Sequence, residues 1–90
     1  MPRLQRTFLV VNALGLHARA AAQMVQAANR YRSEILVERD DQSVNGKSIM
    51  GVLMLAAGKG SEIVVSCDGE DAEEAMASLA RLIENGFGER

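Results

Sequence analysis

The sequence predicts an α+β fold, with one antiparallel sheet and helices packed on one of its faces. Two patterns carry this prediction. Short segments rich in β-forming residues alternate apolar and polar positions, whereas other segments carry apolar residues at helical spacing. Glycine and Asn/Asp clusters separate the segments, and no linker or internal repeat divides them. Since the segments follow the order β-α-β-β-α-β-α within 90 residues, we expect a single domain over residues 1–90.

The first two predicted elements are a strand and a helix. Leu4–Val11 alternates and is rich in β-formers, which is typical of a half-buried strand. The loop Asn12-Ala13-Leu14-Gly15 ends that strand. Ala18–Tyr31 carries an apolar stripe opposite polar residues, so we expect an amphipathic helix whose N-terminus lies at His17. The stripe consists of Ala21, Met24, Val25, Ala28 and Tyr31.

A β-hairpin and a short helix follow in the predicted order. Glu34–Arg39 alternates apolar and charged residues, and Gln42–Asn45 forms the short return strand after a turn of two aspartates. Ser48–Leu55 is the second predicted helix. Ser48 is placed to cap its N-terminus, although Gly51 weakens the helix propensity of the segment.

The last two predicted elements are the fourth strand, Glu62–Cys67, and a third helix. The helix begins with Asp71-Ala72-Glu73-Glu74, which resembles a capping box, and continues to about Asn85. Gly86 follows as the natural stop. The apolar stripe of this helix consists of Ala75, Met76, Leu79, Leu82 and Ile83.

The composition favours a cytoplasmic protein over a nucleic-acid-binding, membrane or secreted one. A net charge of −2 provides no general attraction to nucleic acid or to anionic lipid. The longest apolar run, around Ile49–Ala57, is far shorter than the roughly 20 residues of a membrane helix. The N-terminus also lacks the apolar region of a signal peptide, so we expect neither secretion nor membrane insertion.

Neither a metal ion nor a cofactor is expected. Cys67 is the single cysteine, which excludes an internal disulfide and a thiolate metal cluster, and its strand context predicts a buried thiol. The segment Asp68–Glu74 is acidic, but helix capping explains its carboxylates better than metal binding does.

His17, the single histidine, is the residue best suited to chemistry. It lies between the loop Leu14-Gly15-Leu16 and the start of a helix, with Arg19 two residues further on. Free N–H groups at a helix N-terminus bind phosphate oxygens, and a nearby guanidinium adds charge-assisted hydrogen bonds. A neutral imidazole is also a nucleophile near neutral pH. The sequence therefore favours a phosphate-accepting histidine, the alternative being an exposed residue that only caps the helix.

A longer pattern favours the first of these two interpretations. The chain contains Gly15-Leu16-His17-Ala18-Arg19, then Asn45-Gly46-Lys47-Ser48-Ile49-Met50-Gly51-Val52-Leu53-Met54-Leu55, then Lys59-Gly60. This pattern resembles the HPr family of phosphocarrier proteins over essentially the whole chain. The resemblance implies an open-faced sandwich in which three helices cover one face of a four-stranded sheet.

The resemblance also implies roles for residues of the first motif. His17 would accept a phosphoryl group on Nδ1 from phosphoenolpyruvate-dependent enzyme I and donate it to enzyme IIA proteins for sugar uptake. Arg19 would stabilise the phosphate, and the chain would be a phosphoryl-transfer intermediate rather than an enzyme in the strict sense. The family usually has proline after this arginine. Ala20 stands there instead, so we expect a less rigid first turn.

The second motif implies regulation and docking. Ser48 resembles the serine that HPr kinase/phosphorylase modifies in many bacteria, although an ordinary N-cap explains it equally well. The positions of Ile49, Met50 and Leu53 belong to the family's docking face. Val52 and Leu55 are better candidates for the core, and Met54 stays undecided. A carrier that docks successive partners is expected to be a monomer.

Two other functions stay open on the sequence alone. Asn12-Ala13-Leu14-Gly15-Leu16-His17 and Asn85-Gly86-Phe87 are similar to the nitrogen-related branch of the HPr family, whose phosphorylation state regulates partners. The other alternative is a non-catalytic interaction module in which His17 is only a helix cap.

Overall fold

The computed structural model describes residues 3–89 and confirms the order β-α-β-β-α-β-α over that range. A left-handed turn, Gly86–Gly88, follows the last helix. The strands are β1 Arg3–Leu9, β2 Glu34–Arg39, β3 Gln42–Asn45 and β4 Glu62–Asp68. The helices are α1 Ala18–Ala28, α2 Ile49–Met54 and α3 Ala72–Glu84.

The strands form one antiparallel sheet in the spatial order β1-β4-β2-β3. Phe8 pairs with Ile63 across β1 and β4, and Val37 lies between Val65 of β4 and Val44 of β3. Because side chains alternate between the two faces of a strand, these positions place a continuous apolar surface on one face. The three helices cover that face, with α3 against β1 and β4 and α1 against α2 and α3. The predicted fold class is therefore confirmed.

The first helix ends earlier than predicted. Ala18–Tyr31 was expected, but α1 ends at Ala28 because Asn29 turns its side-chain amide back to donate to the carbonyl of Val25 at 2.9 Å. The next two N–H groups bond to carbonyls three residues back, which tightens the end of the helix. Tyr31 thus lies outside the helix, partly buried against the core, and the rest of the predicted stripe is buried.

The predicted capping box of α3 is wrong. Asp71 occupies the N-cap position, but its carboxylate makes no cap hydrogen bond within the described chain. It instead accepts hydrogen bonds from the N–H of Arg32 at 2.8 Å, the N–H of Ser33 at 2.9 Å and the hydroxyl of Ser33 at 2.6 Å. The hydroxyl of Ser33, and then the N–H of Arg32, lower the pKa of Asp71. The carboxylate therefore joins the loop before β2 to the start of α3.

Other local predictions hold. Asn45 ends β3, Ser48 caps α2 through a hydrogen bond that its hydroxyl accepts from the N–H of Gly51 at 3.1 Å, and Gly86 follows α3 with φ +61°. Gly51 has a packing reason, since a Cβ there would lie 3.2 Å from the Cβ of Val44. Among the helices of residues 3–89, none has the length and apolar composition that a membrane span requires.

The predicted burial of the thiol is confirmed. Cys67 is fully buried in β4. Burial, with a smaller contribution from the negative charge of Asp71, raises the pKa of Cys67 to about 11. The thiol therefore stays protonated near neutral pH and acts as a small apolar side chain.

Candidate functional site

His17 occupies the N-cap position of α1, as the sequence predicted. Its backbone is extended, with φ −73° and ψ −178°, and its carbonyl accepts the hydrogen bond of Ala21 at 2.8 Å. Within the described chain its side chain makes no hydrogen bond to the helix N-terminus. The imidazole therefore does not act as a helix cap in the described structure. Alanine at position 20 is buried and leaves the helix start at Ala18.

The loop before His17 is held against the segment that follows α2. The N–H of Leu16 donates to the carbonyl of Ala57 at 2.8 Å, and the side chain of Leu16 is buried. Gly15 has φ +65°, and a Cβ there would lie 2.5 Å from the same carbonyl oxygen. Only glycine fits this left-handed, close-packed position without strain. The position of His17 is thus fixed by backbone contacts on its N-terminal side.

Arg19 and His17 border the same shallow surface depression. Its other borders are Ala13, Leu14, Ala18 and Glu89. Arg19 is exposed, and 28 % of the His17 side chain is accessible. The depression therefore offers an imidazole, a guanidinium and the positive end of a helix to one ligand, a combination suited to phosphate.

Glu89 is a member of this site that the sequence reasoning missed. One carboxylate oxygen, Oε2, contacts Nε2 of His17, and the other, Oε1, accepts a hydrogen bond from Nδ2 of Asn12 at 2.9 Å. Glu89 and His17 are 72 positions apart in the sequence, so no local spacing could reveal the contact. The glycines on either side of Phe87 were the only hint that the chain turns sharply before Glu89.

The electrostatics around Glu89 favour its ionised form. The hydrogen bond from Asn12 is the largest cause that lowers the pKa of Glu89, followed by the hydrogen bond from His17. Partial burial opposes these effects, and the positive charge of Arg19 adds a smaller lowering. Glu89 is therefore a carboxylate near neutral pH, able only to accept hydrogen bonds.

Asn12 is the buried support of the site. Its side-chain nitrogen Nδ2 donates to the carbonyl of Gly15 at 2.8 Å and to Glu89. Both acceptors require the amide nitrogen, which fixes the orientation of the amide. The oxygen Oδ1 is buried and has no partner among residues 3–89. A buried oxygen without a partner lowers the free energy of unfolding by about 1–3 kcal/mol. The two hydrogen bonds that Nδ2 donates must offset this loss.

The residues predicted on the second motif lie on α2, which packs against α1. Ile49 is 44 % and Met50 71 % exposed, whereas Leu53 is partly buried against the core. Met54, left undecided by the sequence, is 64 % exposed. Val52 and Leu55 are fully buried, as expected. The helix therefore presents an apolar patch beside its serine cap.

Comparison with known proteins identifies the family. A sequence profile for a family described as "PTS HPr component phosphorylation site" matches residues 4–85. The chain belongs to the HPr family. The phosphocarrier protein HPr of Cupriavidus necator is 50 % identical over 86 residues, with 96 % of this chain and 97 % of that one covered. The HPr of Pseudomonas aeruginosa is 50 % identical over 90 residues, with 99 % and 98 % covered.

Solved structures of the HPr family share the fold. The crystal structure of HPr-C-His from Thermoanaerobacter tengcongensis superposes with a TM-score of 0.93 at 45 % identity, covering 97 % of this chain and 98 % of that one. The HPr structure from Bacillus anthracis gives a TM-score of 0.87 at 44 % identity, with 92 % and 99 % covered. The chain is therefore a phosphocarrier of the phosphotransferase system.

Proposed function

We propose that the chain accepts a phosphoryl group from enzyme I on Nδ1 of His17 and donates it to enzyme IIA proteins that serve sugar uptake, in the cytoplasm and as a monomer. One observation carries this proposal. The imidazole of His17 lies at the N-terminus of α1 without capping it, in an open depression bordered by Arg19. The site is open to a partner and needs only to position a phosphoryl group.

The transfer step follows from this placement. The lone pair of Nδ1 forms a bond to phosphorus while the bond between phosphorus and the donor's leaving group breaks. The negative charge on the three phosphoryl oxygens faces the N-terminus of α1 and the guanidinium of Arg19. In the second transfer, a nucleophile of the enzyme IIA protein attacks phosphorus, the bond between phosphorus and Nδ1 breaks, and His17 leaves as a neutral imidazole. Arg19 thus stabilises the negative charge of the phosphoryl oxygens, and Nδ1 of His17 forms the bond to phosphorus that later breaks.

The α2 surface is proposed as the docking and control region. Ile49, Met50 and the accessible part of Leu53 provide apolar contacts for enzyme I and enzyme IIA. Ser48 lies at the edge of this patch and is proposed as a site for HPr kinase/phosphorylase. A phosphate on its hydroxyl would remain near the N–H groups of α2 while adding negative charge beside the patch. It would therefore weaken docking without unfolding the helix.

The proposal is tested with purified protein, enzyme I, magnesium and phosphoenolpyruvate, followed by intact mass measurement and an acid-lability test. Wild type should gain one acid-labile phosphoryl group, and His17→Ala should gain none. Thermal unfolding of this variant should stay close to wild type, because the lost side chain is partly exposed, caps nothing in the described chain, and leaves Glu89 with its hydrogen bond from Asn12. Glu84→Gln, on an exposed carboxylate that pairs with Arg6, serves as the matched control.

Two outcomes would contradict the proposal. Acid-labile phosphate retained by His17→Ala would place the acceptor elsewhere. Absence of any adduct in wild type, with both sugar-type and nitrogen-type enzyme I, would favour an interaction module. Phosphorylation by the nitrogen-type enzyme alone would replace sugar uptake with the regulatory function.

A further inference from the structure

The contact between Glu89 and His17 is built by the turn that directly precedes Glu89. Gly86, Phe87 and Gly88 all have positive φ, at +61°, +57° and +75°. A left-handed backbone is unfavourable for phenylalanine, but the Phe87 ring is buried and holds the turn in place. The N–H of Glu89 donates to the carbonyl of Gly86 at 3.0 Å. The turn thus directs the carboxylate back toward the start of α1.

The carboxylate is also fixed at its far side. Oε1 is held by the buried amide of Asn12, whose orientation is set by its second hydrogen bond to the carbonyl of Gly15. This leaves Oε2 against Nε2 of His17. A carboxylate only accepts hydrogen bonds, so Nε2 must carry the hydrogen. In a neutral ring the other nitrogen, Nδ1, then has the free lone pair.

We propose that Glu89 is a positioning residue for phosphoryl transfer, which holds His17 as the Nε2–H tautomer in a fixed ring orientation and leaves Nδ1 as the nucleophile. The inference rests on the proposed role of His17 and adds the group that selects the reacting nitrogen. When Nδ1 bonds to phosphorus and the donor's bond breaks, the ring becomes a cation, because Nε2 keeps its hydrogen. The Glu89 carboxylate offsets that positive charge, and no proton needs to leave during the step.

The amide variant distinguishes this role from simple packing. In Glu89→Gln, the Asn12 amide still donates and therefore favours the glutamine oxygen at its side. The glutamine nitrogen then faces Nε2, which must accept a hydrogen bond and lose its hydrogen. The hydrogen moves to Nδ1 and blocks the nucleophile. Glu89→Gln should consequently be more harmful than Glu89→Ala, although glutamine is nearly the same size as glutamate.

The test combines ¹⁵N NMR of the His17 ring at a pH where the ring is neutral with the kinetics of phosphorylation by enzyme I. Wild type and the control Glu84→Gln should show the Nε2–H tautomer alone. Glu89→Ala should show both tautomers and a kcat lowered about tenfold, by analogy with the loss of a partner that orients a metal-ligating histidine. Glu89→Gln should show increased Nδ1–H tautomer and a lower kcat still. The KM of enzyme I for each Glu89 variant should stay close to that for wild type, because the substitutions alter the reacting nitrogen and not the docking patch.

The results that overturn the inference are separate from those that overturn the proposed function. If wild type takes phosphate on His17 but Glu89→Gln keeps the Nε2–H tautomer and matches or exceeds the kcat of Glu89→Ala, Glu89 has no positioning role. A rise in KM with unchanged kcat would also reject it, in favour of a docking contact. If wild type takes no phosphate on His17, the proposed function fails, and the positioning inference fails with it.

Discussion

Replacement of Gly15 by alanine tests how tightly the loop before His17 is constrained. Gly15 has φ +65°, and an added Cβ would lie 2.5 Å from the carbonyl oxygen of Ala57 and 2.7 Å from Cα of Gly58. Both neighbours are backbone atoms, so the clash can be relieved only by moving the backbone of Ala57 and Gly58 or of Gly15 itself. The left-handed conformation costs an L-residue about 1–2 kcal/mol. The forced contact adds about 1–3 kcal/mol, which gives a total of about 2–5 kcal/mol.

This loss is measured by thermal unfolding followed by circular dichroism, and by urea unfolding for the free energy. For a domain of this size, 1 kcal/mol corresponds to about 4–8 °C in Tm, so Gly15→Ala should lower Tm by about 8 °C or more. Phosphorylation by enzyme I should also slow. The clash displaces the carbonyl to which Leu16 is bonded, directly before the proposed acceptor His17.

Two glycines nearby provide matched controls. Gly60 has φ +89° but nothing within 4 Å of an added Cβ in the described structure, so Gly60→Ala carries only the conformational cost. Gly58 has the same open space without a left-handed φ, and Gly58→Ala should be neutral or slightly stabilising. The expected order of destabilisation is Gly15→Ala, Gly60→Ala, Gly58→Ala. Equal Tm losses at Gly15 and Gly60 would refute the clash with the backbone after α2.

Two further predictions concern Ser48 and Asp71. Ser48→Ala should cost about 1 kcal/mol of stability through the lost cap but leave enzyme I transfer nearly unchanged, whereas Ser48→Asp should keep the cap and slow transfer. Thermal unfolding measures the stability of each variant, and the rate of phosphorylation by enzyme I measures transfer. Slow transfer in Ser48→Ala but not in Ser48→Asp would contradict the proposed effect of charge at this position. The lowered pKa of Asp71 stabilises the fold above pH 3.8, and this contribution disappears as pH falls through the folded-state pKa. The stability difference between wild type and Asp71→Asn should therefore shrink below pH 3.8, and a constant difference would reject it.

The fold was predictable because its determinants are local. Strand alternation, helical spacing and stop residues such as Gly86 act within a few positions of one another, and the structure follows them closely. The early end of α1 is local, since the side chain of Asn29 bonds to the carbonyl of Val25. The capping error at α3 instead arose where distant groups compete for a side chain. Asp71 would cap α3 by its local sequence, but the N–H groups and hydroxyl of the loop before β2 bind its carboxylate instead. Such competition depends on tertiary distance, which one sequence does not contain.

The site shows the same division. His17 and Arg19 could be predicted as site residues because a histidine at a helix start and a cationic side chain lie two positions apart in sequence. Glu89 could not, because its contact depends on α3 ending beside β1 and on the left-handed turn at Phe87. The sequence indicates only that Asn12 belongs to a loop. Its role depends on the two hydrogen bonds that its side-chain nitrogen donates to Gly15 and Glu89, and these require the folded structure.

Glu89 contacts Nε2 of His17, whereas the proposed phosphoryl acceptor is Nδ1, so one small site can serve both a carboxylate and a phosphoryl group. Phosphate and Glu89 are both anions, and if they shared one nitrogen or one set of donors they would compete. Glu89 instead binds Nε2 and accepts its second hydrogen bond from Asn12, so neither contact uses the proposed reacting atom Nδ1. The first turn of α1 stays free of side-chain caps within the described residues and can receive the phosphoryl oxygens. Repulsion between the anions is further reduced by Arg19, whose positive charge already acts on Glu89 and lies in the same depression.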